Sequence, residues 1–134
     1  MVAKTQNFSI KELPSVRGFL QSDYPISRST WFRVGGRAQI LFEPADVEDL
    51  AQFLFRLDES IPLTVIGAAS NLIVRDGGIP GVTIRLGKSF SKVRPQKNRS
   101  EIIANGGAIG VKVSRAAQQS GISGLEFLSG IPGT

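Results

Sequence analysis

VIGAASNLIVRDGGIPGVTIRLG, residues 65–87, places two apolar runs around a turn that consists almost entirely of small residues. The turn, residues 67–71, reads Gly-Ala-Ala-Ser-Asn. Small residues let a backbone approach another molecule closely, and Ser and Asn add short hydrogen-bonding groups. The turn is therefore either a concave anion site made of backbone N–H groups or a structural turn in which Ser70 and Asn71 bond their own backbone. On this stretch alone, the structural turn is the simpler interpretation.

A β-α-β unit is predicted before this turn. The apolar run from Ala38, closed by Pro44, predicts a strand, and Asp46 predicts the N-cap of a following helix. Residues 63–66 predict the second strand, and residues 72–74 and 82–86 predict two more, separated by loop residues 76–81. The predicted apolar face of the helix consists of Val47, Leu50, Phe53, Leu54 and Leu57.

The two ends of the chain give weaker patterns. Residues 1–29 predict a peripheral helical extension, because Val16, Phe19 and Leu20 share a helical face after a proline, with a linker at residues 27–29. Residues 101–104 predict a strand. Residues 110–119 predict a helix that ends at a C-terminal glycine. The inner face of that helix is Val113, Ala116 and Ala117, and the glycine is Gly121.

Composition excludes much of the chemistry that proteins perform. The 134 residues contain neither Cys nor His, so we expect no disulfide, no zinc site, no metal and no imidazole acid–base chemistry. A hydrophobic content of 41% is typical of one globular domain, or part of one. No apolar run is long enough to span a membrane and the N-terminus does not resemble a secretory signal. We therefore expect a cytoplasmic, monomeric protein that does not bind membranes.

The net charge of +5 raises the question of an anionic partner. Six basic residues and no acidic residue lie within residues 85–99. Proteins that bind single-stranded nucleic acid interleave aromatic rings with such charges, whereas Phe90 is the one aromatic here. We therefore favour a solvated hairpin or loop and expect no nucleic acid. The basic residues are Arg85, Lys88, Lys92, Arg94, Lys97 and Arg99.

Two common nucleotide fingerprints do not fit. Gly87-Lys88-Ser89 looks like the end of a P-loop, but five residues separate Gly81 from Gly87, where the motif needs four. The glycines of residues 105–110 are wrongly spaced for a dinucleotide-binding G-x-G-x-x-G motif. The turn at residues 67–71 remains the candidate phosphate site.

Four segments, in order, resemble the UDP-N-acetylenolpyruvoylglucosamine reductase family of flavoproteins. TWFRVGGRA (residues 30–38) and LFEPADVEDL (residues 41–50) are similar to its opening segments. Residues 65–87 are similar to its G-x-G-S-N core, and GISGLEFLSGIPGT (residues 121–134) to its G-L-E-x-x-x-G-I-P-G segment. The consistent order and spacing make the resemblance specific.

The resemblance implies an α+β fold of the FAD-binding type shared with vanillyl-alcohol oxidase relatives. It divides the chain into the extension (residues 1–29), a β-α-β first FAD-binding subdomain (30–87) and the opening part of a second (88–134). Two loops are expected to hold FAD, and the pairs Gly35-Gly36 and Gly106-Gly107 to form turns that shape the site. The implied cofactor-binding residues are Gly67, Ala68, Ala69, Ser70, Asn71, Leu72, Gly130, Ile131, Pro132, Gly133 and Thr134.

For the complete enzyme, the resemblance implies reduction of an enolpyruvyl UDP-sugar by NADPH through FAD, in peptidoglycan synthesis. FAD is expected to be non-covalent, because relatives that tether flavin use His or Cys. The family's catalytic serine, arginine and glutamate match no residue here, so we expect no activity from this chain alone. Ala69 replaces the family's usual glycine, so it either has negative φ or displaces the loop. A module for a different diphosphate and a basic nucleic-acid-binding domain remain the alternatives.

Overall fold

Two β-sheets and two α-helices organise residues 8–134, which are the residues that the computed structural model describes. This mixture is the α+β class that the sequence predicts. The strands are β1 (Phe19–Pro25), β2 (Arg37–Glu43), β3 (Leu63–Ile66), β4 (Ile79–Arg85), β5 (Val93–Gln96) and β6 (Glu101–Ala104). The α-helices are α1 (Val47–Arg56) and α2 (Gly110–Gln119), and short 3-10 turns lie at Ile10–Glu12, Ile26–Arg28, Lys88–Phe90, Lys97–Arg99 and Glu126–Ser129.

The larger sheet has the strand order β1-β2-β4-β3. β4 pairs in parallel with β2 on one side and with β3 on the other, and β1 pairs antiparallel with β2. The carboxyl ends of β2, β3 and β4 therefore meet at one edge of the sheet, where ligands of open parallel sheets usually bind. The smaller sheet is the antiparallel hairpin of β5 and β6.

Both faces of the larger sheet are covered by apolar side chains. On one face, Ile40, Phe42 and Ile84 form a core with Phe53 of α1, and the rings of Phe42 and Phe53 lie 4.3 Å apart. On the other face, Leu41 belongs to a second core. The second core also contains Tyr24, Ile26, Ala38, Ile66 and Val74. Because the consecutive residues Ile40, Leu41 and Phe42 of β2 enter opposite cores in turn, the register of this part of the strand is firmly set.

One buried carboxylate fixes the start of α1 against the sheet. Asp49, only 5% exposed, accepts hydrogen bonds from the backbone N–H groups of Arg17 (2.8 Å), Gly18 (2.9 Å) and Ala45 (2.9 Å). Burial alone would raise the pKa of Asp49, but these three donors outweigh it and hold the pKa below its ordinary value. Asp46 caps the helix as predicted, because its side chain accepts from the Asp49 N–H group.

The segment before β2 is where the sequence interpretation fails. Val16, Phe19 and Leu20 were expected on one helical face, but β1 begins at Phe19 and pairs with β2 from Phe19↔Glu43 to Pro25↔Arg37. The apolar spacing fits a helix locally, whereas the free edge of β2 supplies hydrogen bonds that a short helix cannot equal. The predicted helical extension is therefore wrong in its structure, and its first seven residues lie outside the described part of the chain. The boundaries of the two subdomains stay a prediction.

Two further corrections concern β4 and the segment that precedes it. Residues 72–74 were expected to form a strand but adopt irregular structure, with Val74 buried in the second core. The loop predicted for residues 76–81 is shorter, because β4 already begins at Ile79 and includes Pro80 and Gly81. Gly81 has φ +71°, and its N–H group donates to Gln39 Oε1, which replaces a regular ladder bond where the pairing of β2 with β4 is irregular.

The helices confirm most of the remaining pattern. Phe53 of α1 is buried and Leu50 and Leu57 pack on the core, but Val47 and Leu54 are exposed, so the predicted apolar face is too wide. In α2, Ala117 is buried, and Val113 and Ala116 are half-buried. Gly121 follows that helix with φ +68°, as predicted for its C-terminal glycine.

Asp49→Ala is expected to lower the free energy of unfolding by about 3 kcal/mol, because three N–H groups lose a charged acceptor and each unmade bond costs about 1–3 kcal/mol. Urea unfolding followed by circular dichroism measures the change. Glu48→Ala is the matched control, since this neighbouring carboxylate is exposed and its loss should cost less than about 0.5 kcal/mol. Equal losses in the two variants would contradict the role of Asp49.

The same carboxylate predicts a pH dependence. Because the pKa of folded Asp49 lies below the ordinary 3.8, its contribution to stability is present above that pH and is lost as the pH falls through the folded pKa. The stability difference between the parent and Asp49→Asn should therefore be constant at neutral pH and shrink in acid below about pH 4. A stability difference that grows as the pH falls would contradict a lowered pKa for Asp49.

Candidate functional site

The small-residue turn lies at the edge of the sheet where the parallel strands end. It follows β3 directly and shares a cavity of about 300 Å³ with the last residues of the chain. The cavity is lined by Val65, Ile66, Gly67, Ala68, Ala69, Ser70, Asn71, Leu72, Pro132, Gly133 and Thr134. Two loops that are far apart in sequence therefore meet in one concave site.

Close contact between the loops requires a glycine at position 67. A Cβ atom on Gly67 would lie 1.8 Å from Thr134 Oγ1 and 3.0 Å from Thr134 Cβ, which is closer than real side chains approach. The terminal loop is attached to the second helix as well, because the Gly110 N–H group donates to Gly133 O at 3.2 Å. The glycine thus lets the end of β3 and the loop beside α2 form one surface.

A buried hydroxyl faces this surface without a protein partner. Ser70 Oγ is buried, and within residues 8–134 it has no hydrogen-bond partner. A Cβ atom on Gly133 would lie 3.7 Å from this oxygen, so the hydroxyl is close to the second loop. Since a buried polar atom without a partner costs about 1–3 kcal/mol, a polar ligand atom in the cavity would satisfy it. The unpartnered Ser70 hydroxyl is therefore an observation that fits a phosphate-bearing ligand.

Ala69 holds a strained conformation in the middle of the turn. Its φ is +50°, in the left-handed region that favours glycine. The alternative of a negative φ at this position is therefore wrong. The carbonyl oxygen of Ala69 accepts a hydrogen bond from the Trp31 N–H group at 3.3 Å, which connects the turn to the segment before β2.

The residues that line the cavity differ from the predicted set in both loops. The six predicted residues of the first loop and the last three of the second lie at the cavity, whereas Gly130 and Ile131 do not line it. Gly130 instead ends the 3-10 turn, with its N–H group bonded to Phe127 O. Val65 and Ile66 were missed, and the signal that could have found them is their place at the end of a strand that leads into the turn.

Gly106 and Gly107 form a turn, as predicted, whereas Gly35 and Gly36 lie in irregular backbone just before β2. Gly35 has φ +120° and packs against Val74, and a Cβ atom on Gly36 would lie 2.4 Å from Asp76 O. Gly107 donates from its N–H group to Phe90 O at 2.8 Å. Both pairs bring neighbouring backbones into close contact, and their role in shaping the site stays a prediction.

A cluster of polar side chains holds strand ends together at the same edge of the sheet. The Arg85 guanidinium at the end of β4 forms an ion pair with Glu43 at the end of β2, and it also donates to Ser29 Oγ. Burial would lower the pKa of Arg85, but the hydrogen bond and charge of Glu43 outweigh burial and raise it. Tyr24 extends the cluster, since its hydroxyl lies 3.0 Å from Ser29 Oγ. Arg85 therefore holds strand ends together and is not part of a solvated basic surface.

Three other basic residues of this stretch are exposed on or next to the hairpin of β5 and β6, as predicted for a solvated hairpin. Lys92 and Arg94 are exposed at and before β5, and Arg99 is exposed near the tip of the hairpin. Within the described residues, none of the side chains that line the cavity of the site is charged. The basic hairpin therefore contributes no side chain to that cavity.

Membrane and metal binding are two other classes of function on which the described residues bear. None of the helices in residues 8–134 is long and apolar enough to cross a membrane. Across the same residues, acidic side chains do not gather in a group of three or more that could hold a metal ion. The expected absence of a metal stays a prediction.

Comparison with known proteins supplies independent information. Residues 38–134 match the protein family described as "FAD binding domain". The chain is 48% identical over 134 residues to a UDP-N-acetylenolpyruvoylglucosamine reductase of Parvibaculum lavamentivorans, covering 100% of this chain and 43% of that protein. It is 54% identical over 121 residues to the protein of the same name from Azorhizobium caulinodans, covering 90% of this chain and 39% of the relative. The chain thus spans about two fifths of the length of the curated relatives that it matches.

A solved structure is similar as well. The crystal structure of UDP-N-acetylenolpyruvylglucosamine reductase from Thermus caldophilus superposes with a TM-score of 0.65 at 28% sequence identity. The match covers 89% of this chain and 40% of that protein. The similarity therefore extends over nearly all the elements described above.

Ala69→Gly is expected to raise the free energy of unfolding by about 0.5–1 kcal/mol. Left-handed backbone costs a residue with a Cβ atom about 1–2 kcal/mol, and the greater freedom of glycine in the unfolded chain offsets about 0.4–1 kcal/mol of the gain. Denaturant unfolding measures the change. Ala68→Gly is the matched control: the neighbouring alanine lacks a positive φ, so this variant should lose about 0.4–1 kcal/mol. Destabilisation of similar size in both variants would contradict the strain at Ala69.

Proposed function

The chain belongs to the FAD binding domain family, and on that premise we propose that it is the flavin-holding part of a UDP-N-acetylenolpyruvoylglucosamine reductase. The observation that carries the proposal is the meeting of the two small-residue loops around the unpartnered Ser70 hydroxyl. The proposed ligand of this surface is the pyrophosphate of FAD.

The lining residues fit that group in three ways. Gly133 leaves space where a side chain would stand, Ser70 offers a hydroxyl donor, and Asn71 offers an amide at the rim. Since no described residue that lines the cavity is charged, the diphosphate would be held by dipoles and hydrogen bonds, as in other backbone anion sites. FAD, when bound, supplies the hydride chemistry of the reaction. The part played by these residues is to bind the cofactor and to orient it.

The activity of the whole protein is a further step of the proposal. Relatives that are 48% and 54% identical to this chain over the matched residues carry the name of the reductase. We therefore propose NADPH as co-substrate, a UDP-sugar with an enolpyruvyl group as substrate, and a role in cell-wall precursor synthesis in the cytoplasm. We further propose a monomer with non-covalent FAD. No residue of this chain is assigned a catalytic role.

Ser70→Ala and Asn71→Ala are each expected to weaken FAD binding by about 1–3 kcal/mol, the range for hydrogen bonds to charged groups. Titration followed by flavin fluorescence measures the dissociation constants. Ser123→Ala is the matched control, because this exposed serine lies outside the cavity, and it should leave FAD binding unchanged.

Competition identifies the part of the cofactor that the loops hold. Inorganic pyrophosphate and ADP should displace FAD from the parent protein and lose this ability in Ser70→Ala. If ADP binds but FAD does not, the turn belongs to a module for a different diphosphate. If Ser70→Ala and Asn71→Ala bind FAD like the parent, the pyrophosphate assignment is wrong.

Residues 1–134 alone are expected to show no reductase turnover when FAD, NADPH and the enolpyruvyl UDP-sugar are supplied. Protonation of the substrate carbon requires a positioned acid, and a displacement of about 1 Å already costs about 100-fold in rate. The assay follows the loss of NADPH absorbance, with a relative of full length as the positive control. Substrate-dependent oxidation by residues 1–134 would mean that this chain itself contains the catalytic groups.

A further inference from the structure

Three strongly exposed apolar side chains lie on the cavity-lining loops or on segments attached to them. Val65, which lines it, is 61% exposed, and Ile73, two residues after Asn71, is 69% exposed. Trp31 has the most exposed side chain of this group, at 77%, and its backbone is hydrogen-bonded to the turn at Ala69. Single exposed apolar residues are common, but several around one polar cavity indicate a surface that another molecule covers.

The backbone that carries Trp31 is fixed on both sides. Thr30 is buried; its N–H group donates to Ile26 O at 3.1 Å and its hydroxyl donates to Val34 O at 3.3 Å. Ser29, one residue earlier, accepts from the Arg85 guanidinium. The exposed indole is therefore carried by a constrained segment whose backbone contacts the turn, which lowers the entropic cost of using it in binding.

The cavity can take the diphosphate of a dinucleotide but is too small to take its rings as well. About 300 Å³ is at the lower limit of ligand pockets, so a molecule as large as FAD cannot be contained in it. With its diphosphate between the two loops, its ring systems lie outside the cavity, where the exposed apolar side chains on and beside these loops can contact them. Indole rings stack on nucleobases and similar flat heterocycles without needing a specific hydrogen-bond pattern.

We propose that Trp31 packs against a ring system of the bound dinucleotide and is a positioning residue for the cofactor. This inference rests on the proposed function, because it takes the diphosphate site as given. A protein segment covering the indole instead is the competing explanation, and the experiment distinguishes the two.

Binding of FAD to the full chain is compared for the parent, Trp31→Ala and Trp31→Phe. We expect Trp31→Ala to bind FAD about tenfold more weakly or worse, within the range known for base–aromatic stacking, and Trp31→Phe to retain most of the affinity. Phe55→Ala is the control: this aromatic on α1 is 90% exposed and lies outside the cavity, so its loss should not change FAD binding.

The fluorescence of the indole gives a second readout that does not depend on activity. Trp31 is the only tryptophan of the chain, so acrylamide quenching reports on this side chain alone. Saturation with FAD should lower the quenching constant. Repeating the measurement with ADP and with FMN shows which ring system covers the indole, since only the fragment that carries that ring should protect it.

Failure of this inference is distinguishable from failure of the proposed function. If Ser70→Ala weakens FAD binding while Trp31→Ala does not, and acrylamide reaches Trp31 equally with and without FAD, the role of Trp31 is overturned and the pyrophosphate site stands. If the parent binds no FAD, both are overturned. Should Trp31→Ala unfold, acrylamide quenching of the parent with and without FAD still decides the question.

Discussion

Parallel pairing of β4 on both sides is the constraint on which the site depends. β2 and β3 run in the same direction as β4, on either side of it. The three strands therefore end at one edge of the sheet, at Glu43, Ile66 and Arg85. The ion pair of Arg85 with Glu43 then ties two of these strand ends together and, through Ser29, orients the chain before β2. The small-residue turn extends from a rigid edge, which suits a site that must hold a large cofactor in one orientation.

Local signals predicted the elements whose stability is mainly local. Asp46 as N-cap, the apolar spacing of Leu50 and Phe53, and Gly121 after α2 could all be predicted from the sequence, because capping and helical periodicity are properties of short segments. β1 could not be predicted in this way. Its residues fit a helical face as well as a strand, and the partner that decides between the two is the edge of β2, which follows it in the chain.

The candidate site was predictable in its composition and less so in its geometry. Small residues at 67–71 indicated a close approach, but they did not reveal that the approaching group is Thr134. The meeting of the two loops came from the resemblance to a family and not from the spacing of residues. Val65 was missed because an exposed apolar residue type gives no sign of a site, and only its place at the end of a strand that leads into the turn could have indicated it. The strain at Ala69 could not be predicted, because it appears only as a positive φ in the structure.

The contact of Gly67 with Thr134 has a consequence for folding kinetics. It closes a loop of some sixty-five residues, and contacts of such long sequence separation form slowly because loop-closure entropy must be overcome first. The strand pairs and helices between these two residues can therefore be complete while the cavity is still open. Capture of the cofactor then reports the last stage of assembly, and a protein with full secondary structure can still lack its binding surface.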